Sequence, residues 1–307
     1  MSRRTKDQQS LISNNLGQQL LYRLVVIVAS IARSLPPSFC YAVATLLADA
    51  AFAIWHSKRV ITIENMRHVL GADASEEKVR RTARRAYRNY TRLIADMLLM
   101  PGMSSEDLEA RLKTNAWEIV ESALASGKGV LLVSGHFGHP MIAGLLLASR
   151  GYKVNVIAEM HSILGINAVV RRYHANWGLC PIPMEYGLKQ VYRALRNNEL
   201  VAVIIDRPVL DEPNGVPIML FGQQTYWPAG CATLSLRTGA KILVGYVARE
   251  PDDAFQCTVR LLDRPSTTGN PETDVQAITQ EIANILEEGI RRYPDQWFMF
   301  RRTWHGG

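Results

Sequence analysis

Val130-Leu-Leu-Val-Ser-Gly-His-Phe-Gly-His-Pro-Met141 passes from an apolar, β-branched segment into small residues, two histidines and a proline. The run Val130–Ser134 reads as a buried strand. Pro140 suits the first position of a helix, because its missing N–H has no intrahelical partner there anyway. His136 therefore falls where a strand ends and a helix is about to begin, the place where α/β sheets build their sites. Downstream the same alternation repeats. A helix over Pro140–Ser149 ends at Gly151, and the strand Lys153–Ala158 follows. A helix from Gly165 to Trp177 precedes the short strand Leu179–Ile182. The helix Leu188–Asn197 leads into Leu200-Val-Ala-Val-Ile-Ile205, a continuous apolar run of the kind found in central parallel strands. After a long loop come a helix over Ala229–Thr238, strands Lys241–Ala248 and Ala254–Leu262, and a helix from Asp274 to Arg292. Upstream, Gly127-Lys-Gly separates the first strand from a helix over Ser105–Ser126. Strands alternating with helices predict an α/β fold, a mainly parallel sheet flanked by helices.

Residues 1–100 have a different character. They carry 15 Lys and Arg against 7 Asp and Glu, whereas the rest of the 307-residue chain carries 20 against 21, so the net charge of +7 originates in this third. Such a bias suits an anionic surface, either nucleic acid or a membrane leaflet. The apolar stretches at 19–34 and Cys40–Trp55 are interrupted by Arg23 and Asp49 respectively. Neither reads as a spanning helix; both suit helices packed on each other or lying in a membrane interface. Ser75 is an N-cap for a helix whose apolar stripe includes Val79, Ala83, Ala86 and Tyr90. Lys78, Arg80, Arg81, Arg84, Arg85, Arg88 and Arg92 fill the remaining face, for solvent or for anionic head groups. Pro101-Gly102 marks the boundary. Residues 1–100 are expected to form a basic, amphipathic, membrane-associating helical region, and 101–307 the α/β domain, the two making one continuous unit. The polar stretch before the first apolar run is too long for an ordinary signal-peptide n-region. The four cysteines, Cys40, Cys180, Cys231 and Cys257, lack pairing or metal-binding spacing and read as free thiols in a reducing compartment.

Three predicted strand ends carry polar groups: Ser134-Gly-His136, Glu159, and Asp206-Arg207. Gly135 and Gly138 would let backbone or ligand approach closely. Backbone N–H groups at the start of the following helix could hold an anion or an oxyanion. His136 and His139 stand three apart, but no third ligand has a fixed relation to them, so no metal is expected. No phosphate loop, nucleophile elbow or dinucleotide fingerprint occurs, and no nucleic-acid-binding motif accompanies the basic helix.

The block VLLVSGHFGHPMIAG (130–144) resembles the first motif of the bacterial lipid A lauroyl/myristoyl acyltransferases and the phosphatidylinositol mannoside acyltransferases. The resemblance continues through VAVIIDRP (201–208), GVPIMLFGQQTYWPAGCATLSLRTGAKILVGYVAR (215–249) and YPDQWFMFRRTW (293–304). It implies an O-acyltransferase on the cytoplasmic face of a bacterial inner membrane, peripheral or monotopic. Its partners would be anionic membrane lipids, an acyl-CoA or acyl carrier protein donor, and a glycolipid or lysophospholipid acceptor. No cofactor beyond that thioester co-substrate is implied, and no nucleic acid. His136 would be the general base on the acceptor hydroxyl, oriented by an acid five positions on.

That acid is missing: the fifth position is Met141. Three readings follow. Asp206 or Glu159 has taken the acid's place; or His136 works unassisted, with His139 fixing its tautomer or sharing its proton; or catalysis is lost and the fold binds lipid or scaffolds a partner. Arg207 suits a phosphate or oxyanion contact, or a salt bridge across the loop. Arg171 and Arg172 suit phosphates of the thioester carrier, or a solvated helix face. Arg301 and Arg302, beside Trp297 and Trp304, suit an interfacial anchor or a packed terminus.

Overall fold

The computed structural model describes residues 16–100, 104–114, 116–158, 178–184, 187–209, 215–263 and 268–304. The first third is helical: α1 (Leu16–Arg33), α2 (Pro37–Ile54), α3 (His56–Leu70) and α4 (Glu76–Leu99). Ser75 caps α4, its hydroxyl accepting from the Lys78 N–H. The helix predicted over Ser105–Ser126 is instead α5 (Ser105–Arg111), a two-residue strand β1 (Leu112–Lys113) and α6 (Trp117–Leu124). Leu112 and Lys113 leave the helix to pair with an edge of the sheet, where Leu112 is buried.

Then come β2 (Val130–Ser134), α7 (Pro140–Ser149), β3 (Val154–Ala158), β4 (Leu179–Pro183), α8 (Leu188–Arg196) and β5 (Leu200–Ile204). The helix expected over 165–177 lies outside the described residues. Part of the expected long loop is a hairpin, β6 (Gly215–Leu220) and β7 (Gln223–Pro228). The chain closes with α9 (Gly230–Thr238), β8 (Lys241–Arg249), β9 (Phe255–Leu261), α10 (Pro271–Arg292) and a 3-10 turn at Pro294–Gln296.

Among the described residues seven strands form one sheet in the order β1-β9-β8-β2-β5-β3-β4, every pair parallel except β8 with β9. Central strand β2 lies between β8 and β5, and its side chains alternate between two cores. Leu131 and Val133 join a core with α8, α9, α10 and the N-terminal helices. Val130 and Leu132 join another with α6 and α7 on the opposite face.

The helical third is bound to the C-terminal segment after α10 by buried and part-buried polar contacts. Asn65 on α3 donates to the carbonyls of Met299 (2.9 Å) and Arg301 (2.8 Å), and Asn89 on α4 donates to that of Asp295. The basic face of α4 is largely matched within the protein: Arg84 and Arg88 both clasp Asp49 of α2, Arg85 meets Asp295, and Arg92 meets Asp253. The Arg88 and Arg84 guanidiniums hold the Asp49 carboxyl well below the usual carboxylate range. By length and composition alone, helix α2 would be long and apolar enough to cross a membrane.

Candidate active site

The β2–β5 ladder pairs Val130 with Leu200 and continues in register to Ser134 with Ile204. The same offset of 70 positions carries two residues further, to His136 and Asp206. The two therefore emerge side by side at the carboxyl end of the sheet. Imidazole Nδ1 lies 2.6 Å from Asp206 Oδ1, and the His136 backbone N–H donates to Oδ2 at 2.8 Å. Asp206 is wholly buried while the His136 ring retains 29% exposure. A carboxylate at Nδ1 fixes the proton there and leaves the Nε2 lone pair as the basic site.

Two glycines make this approach possible. A Cβ on Gly135 would come within 2.8 Å of Asp206 Oδ2. Gly138 has φ +64, and a Cβ there would lie 1.9 Å from the Val247 carbonyl oxygen, inside any allowed contact. Gly138 thus serves close packing against β8. The turn's amides are mostly spent: Gly138 N–H donates to the Gln296 carbonyl and His139 N–H to that of Val247.

The turn is held from a third side by the segment following α10. The Phe298 N–H donates to the His136 carbonyl at 2.7 Å. The Trp297 indole N–H donates to Asp206 Oδ2 at 2.9 Å. Trp297 and Trp304 are buried, while Arg301 and Arg302 between them in sequence are exposed. The tie of Trp297 to Asp206 bridges 91 positions and no local signal announces it.

The other candidates separate. Met141, where the resemblance expects an acid, is half-buried against the α7 core. His139 caps α7 without a side-chain bond and is buried, its Nε2 3.8 Å from Asp96. Burial pushes its pKa down to about 4, with Asp96 opposing and Arg249 reinforcing. It belongs to a second polar cluster in which Asp96 pairs with Arg249 and accepts from the Tyr41 hydroxyl at 2.6 Å. Sequence patterns gave no sign of that cluster. Arg207 is half-buried beside Asp206; burial and the neighbouring Arg301 guanidinium both lower its pKa. Glu159, Arg171 and Arg172 lie outside the described residues. Among the described residues no three His, Cys, Asp or Glu side chains gather as a metal site.

Residues 11–306 match the family model described as bacterial lipid A biosynthesis acyltransferase. A phosphatidylinositol mannoside acyltransferase of Mycobacterium tuberculosis (strain H37Rv) is 27% identical over 223 residues, 70% of this chain and 68% of the relative. Its namesake from Mycolicibacterium smegmatis is 26% identical over 247 residues, 78% of this chain and 77% of the relative.

Proposed function

The chain belongs to the bacterial lipid A biosynthesis acyltransferase family and is an acyltransferase of that group, and we propose that it moves a fatty acyl chain from an acyl thioester to a hydroxyl of a membrane glycolipid or lysophospholipid, with His136 as general base. The observation that carries this reading is the carboxylate of Asp206 at Nδ1 of His136. Nε2 takes the proton from the acceptor hydroxyl as its oxygen attacks the thioester carbonyl. The tetrahedral oxyanion collapses and the carbon–sulfur bond breaks. The departing thiolate then receives the proton back from Nε2, leaving an ester and a free thiol. Asp206 stabilises the imidazolium that exists between the two transfers. Arg207, one position beyond Asp206, supplies positive charge for the oxyanion or for a substrate phosphate. This role suits it because the turn's own amides at 136, 138 and 139 already have acceptors.

Membrane association is part of the same reading. Leu24, Ile27 and Ile31 of α1 and Phe39, Leu46, Leu47 and Ile54 of α2 are each more than half exposed. That much adjoining apolar surface is what an interfacial helix pair offers a bilayer. Contact with anionic lipid falls mainly to exposed cations outside the Asp49 clasp, Arg23, Arg33 and Lys78.

The test uses the purified protein with radiolabelled palmitoyl-CoA and a bacterial lipid extract. His136→Ala should abolish transfer. Asp206→Asn, which keeps the shape and removes the charge, should lower kcat by about 10⁴-fold, as loss of the acid's charge does in the serine-protease triad. Transfer that survives both substitutions would refute the mechanism. A native protein that binds lipid vesicles yet transfers nothing would instead be a lipid-binding module.

A further inference from the structure

Three consecutive residues beyond α10 each grip the catalytic turn or its acid. The Gln296 carbonyl accepts from Gly138, the Trp297 indole donates to Asp206, and the Phe298 N–H donates to His136. Gln296 aligns this segment with the sheet: its side-chain oxygen accepts from the Arg249 N–H (2.8 Å) and its amide donates to the Arg249 carbonyl (2.7 Å). At the centre is the Asp206 carboxylate. Oδ1 faces the His136 ring, while Oδ2 receives two donors, the His136 backbone N–H and the indole N–H. A carboxylate held by one oxygen can swing about its Cβ–Cγ bond. Two donors converging on Oδ2 from different directions oppose that rotation and keep Oδ1 on Nδ1.

We propose that Trp297 is a positioning residue of the acyl transfer, its indole N–H locking the Asp206 carboxylate so that His136 stays in the Nδ1–H tautomer with Nε2 free. The inference rests on His136 and Asp206 being the reacting pair. Asp206 has no exposed surface and cannot touch substrate, so loss of the lock acts on turnover and not on binding.

Two variants separate the hydrogen bond from the packing. Trp297→Phe keeps an aromatic ring and removes the donor. Benzothienylalanine installed at position 297 keeps the bicyclic shape and puts sulfur where the N–H was. Each is assayed with radiolabelled palmitoyl-CoA and bacterial lipid extract, alongside ¹⁵N-histidine NMR of the His136 ring. We expect kcat to fall about 10- to 100-fold in both, the range set by one hydrogen bond to a charged group. KM should stay within about twofold, and the low-field Nδ1 proton signal of His136 should broaden or vanish. Wild-type kcat and an unchanged His136 spectrum in the sulfur variant, with His136→Ala inactive, would overturn the role of Trp297. Full activity in His136→Ala would overturn the underlying pair instead.

Discussion

His139 is the side chain whose environment makes the sharpest forecast. It is neutral in the folded protein because burial holds its pKa at about 4, against an ordinary value of 6.5, while in the unfolded chain it titrates normally. Between those two values the unfolded state carries a proton that the folded state refuses. Stability is therefore complete above pH 6.5 and falls as pH drops towards 4, by up to about 3 kcal/mol. His139→Gln should flatten this slope in urea unfolding between pH 6.5 and 4.5; parallel slopes in the two proteins would show that other groups are responsible. The loss of the Asp49 clasp has the same sign but belongs to lower pH, since that carboxyl is already depressed. Individual site residues were unevenly legible. His136 and Asp206 stand at strand ends and could be named from that alone. Which acid lies against the histidine could not be read, because it depends on which strand lies beside β2.

Helices α1 and α2 make a different kind of forecast. Leu46, Leu47 and Ile54 are 70%, 62% and 82% exposed, so replacing all three by Ser removes apolar surface without opening a core. Sedimentation with phospholipid vesicles should fall at least about tenfold, while the circular dichroism spectrum stays unchanged. Undiminished vesicle binding would refute a membrane contact through this face. The strands most easily found in the sequence were those buried on both faces, where β-branched runs leave little ambiguity. Hairpin β6–β7 escaped notice because Pro217 and Pro228 sit within it, and proline argues against a strand. Its turn is Phe221-Gly222, both at positive φ, so the clue was a glycine beside an aromatic that rarely takes that conformation. The split of Ser105–Ser126 was hidden for another reason: Leu112 and Lys113 are strand only because β9 offers them an edge.

The bond between the helical third and the C-terminal segment of the α/β domain is testable at Asn65. Its buried amide supplies two carbonyls of the segment that contains Trp297's neighbours. Asn65→Ala leaves both short of a donor, and should cost about 2–4 kcal/mol in urea unfolding. A change below about 0.5 kcal/mol would mean the segment is held without it. How the N-terminal helices meet the rest of the chain was not legible, since several arginines read as facing solvent or anionic head groups are matched to Asp49, Asp253 and Asp295. The overall class was legible, because alternation of strand and helix leaves few arrangements open. The β2–β5 register has one more implication. On the proposed mechanism, chemistry in this chain is specified by a spacing between strands, and a search for a histidine with an acid at a fixed step along the sequence would score it as dead. Inserting or deleting residues in the crossover between the two strands would leave His136 and Asp206 facing each other, whereas slipping β5 by a single position would part them while altering no side chain at all.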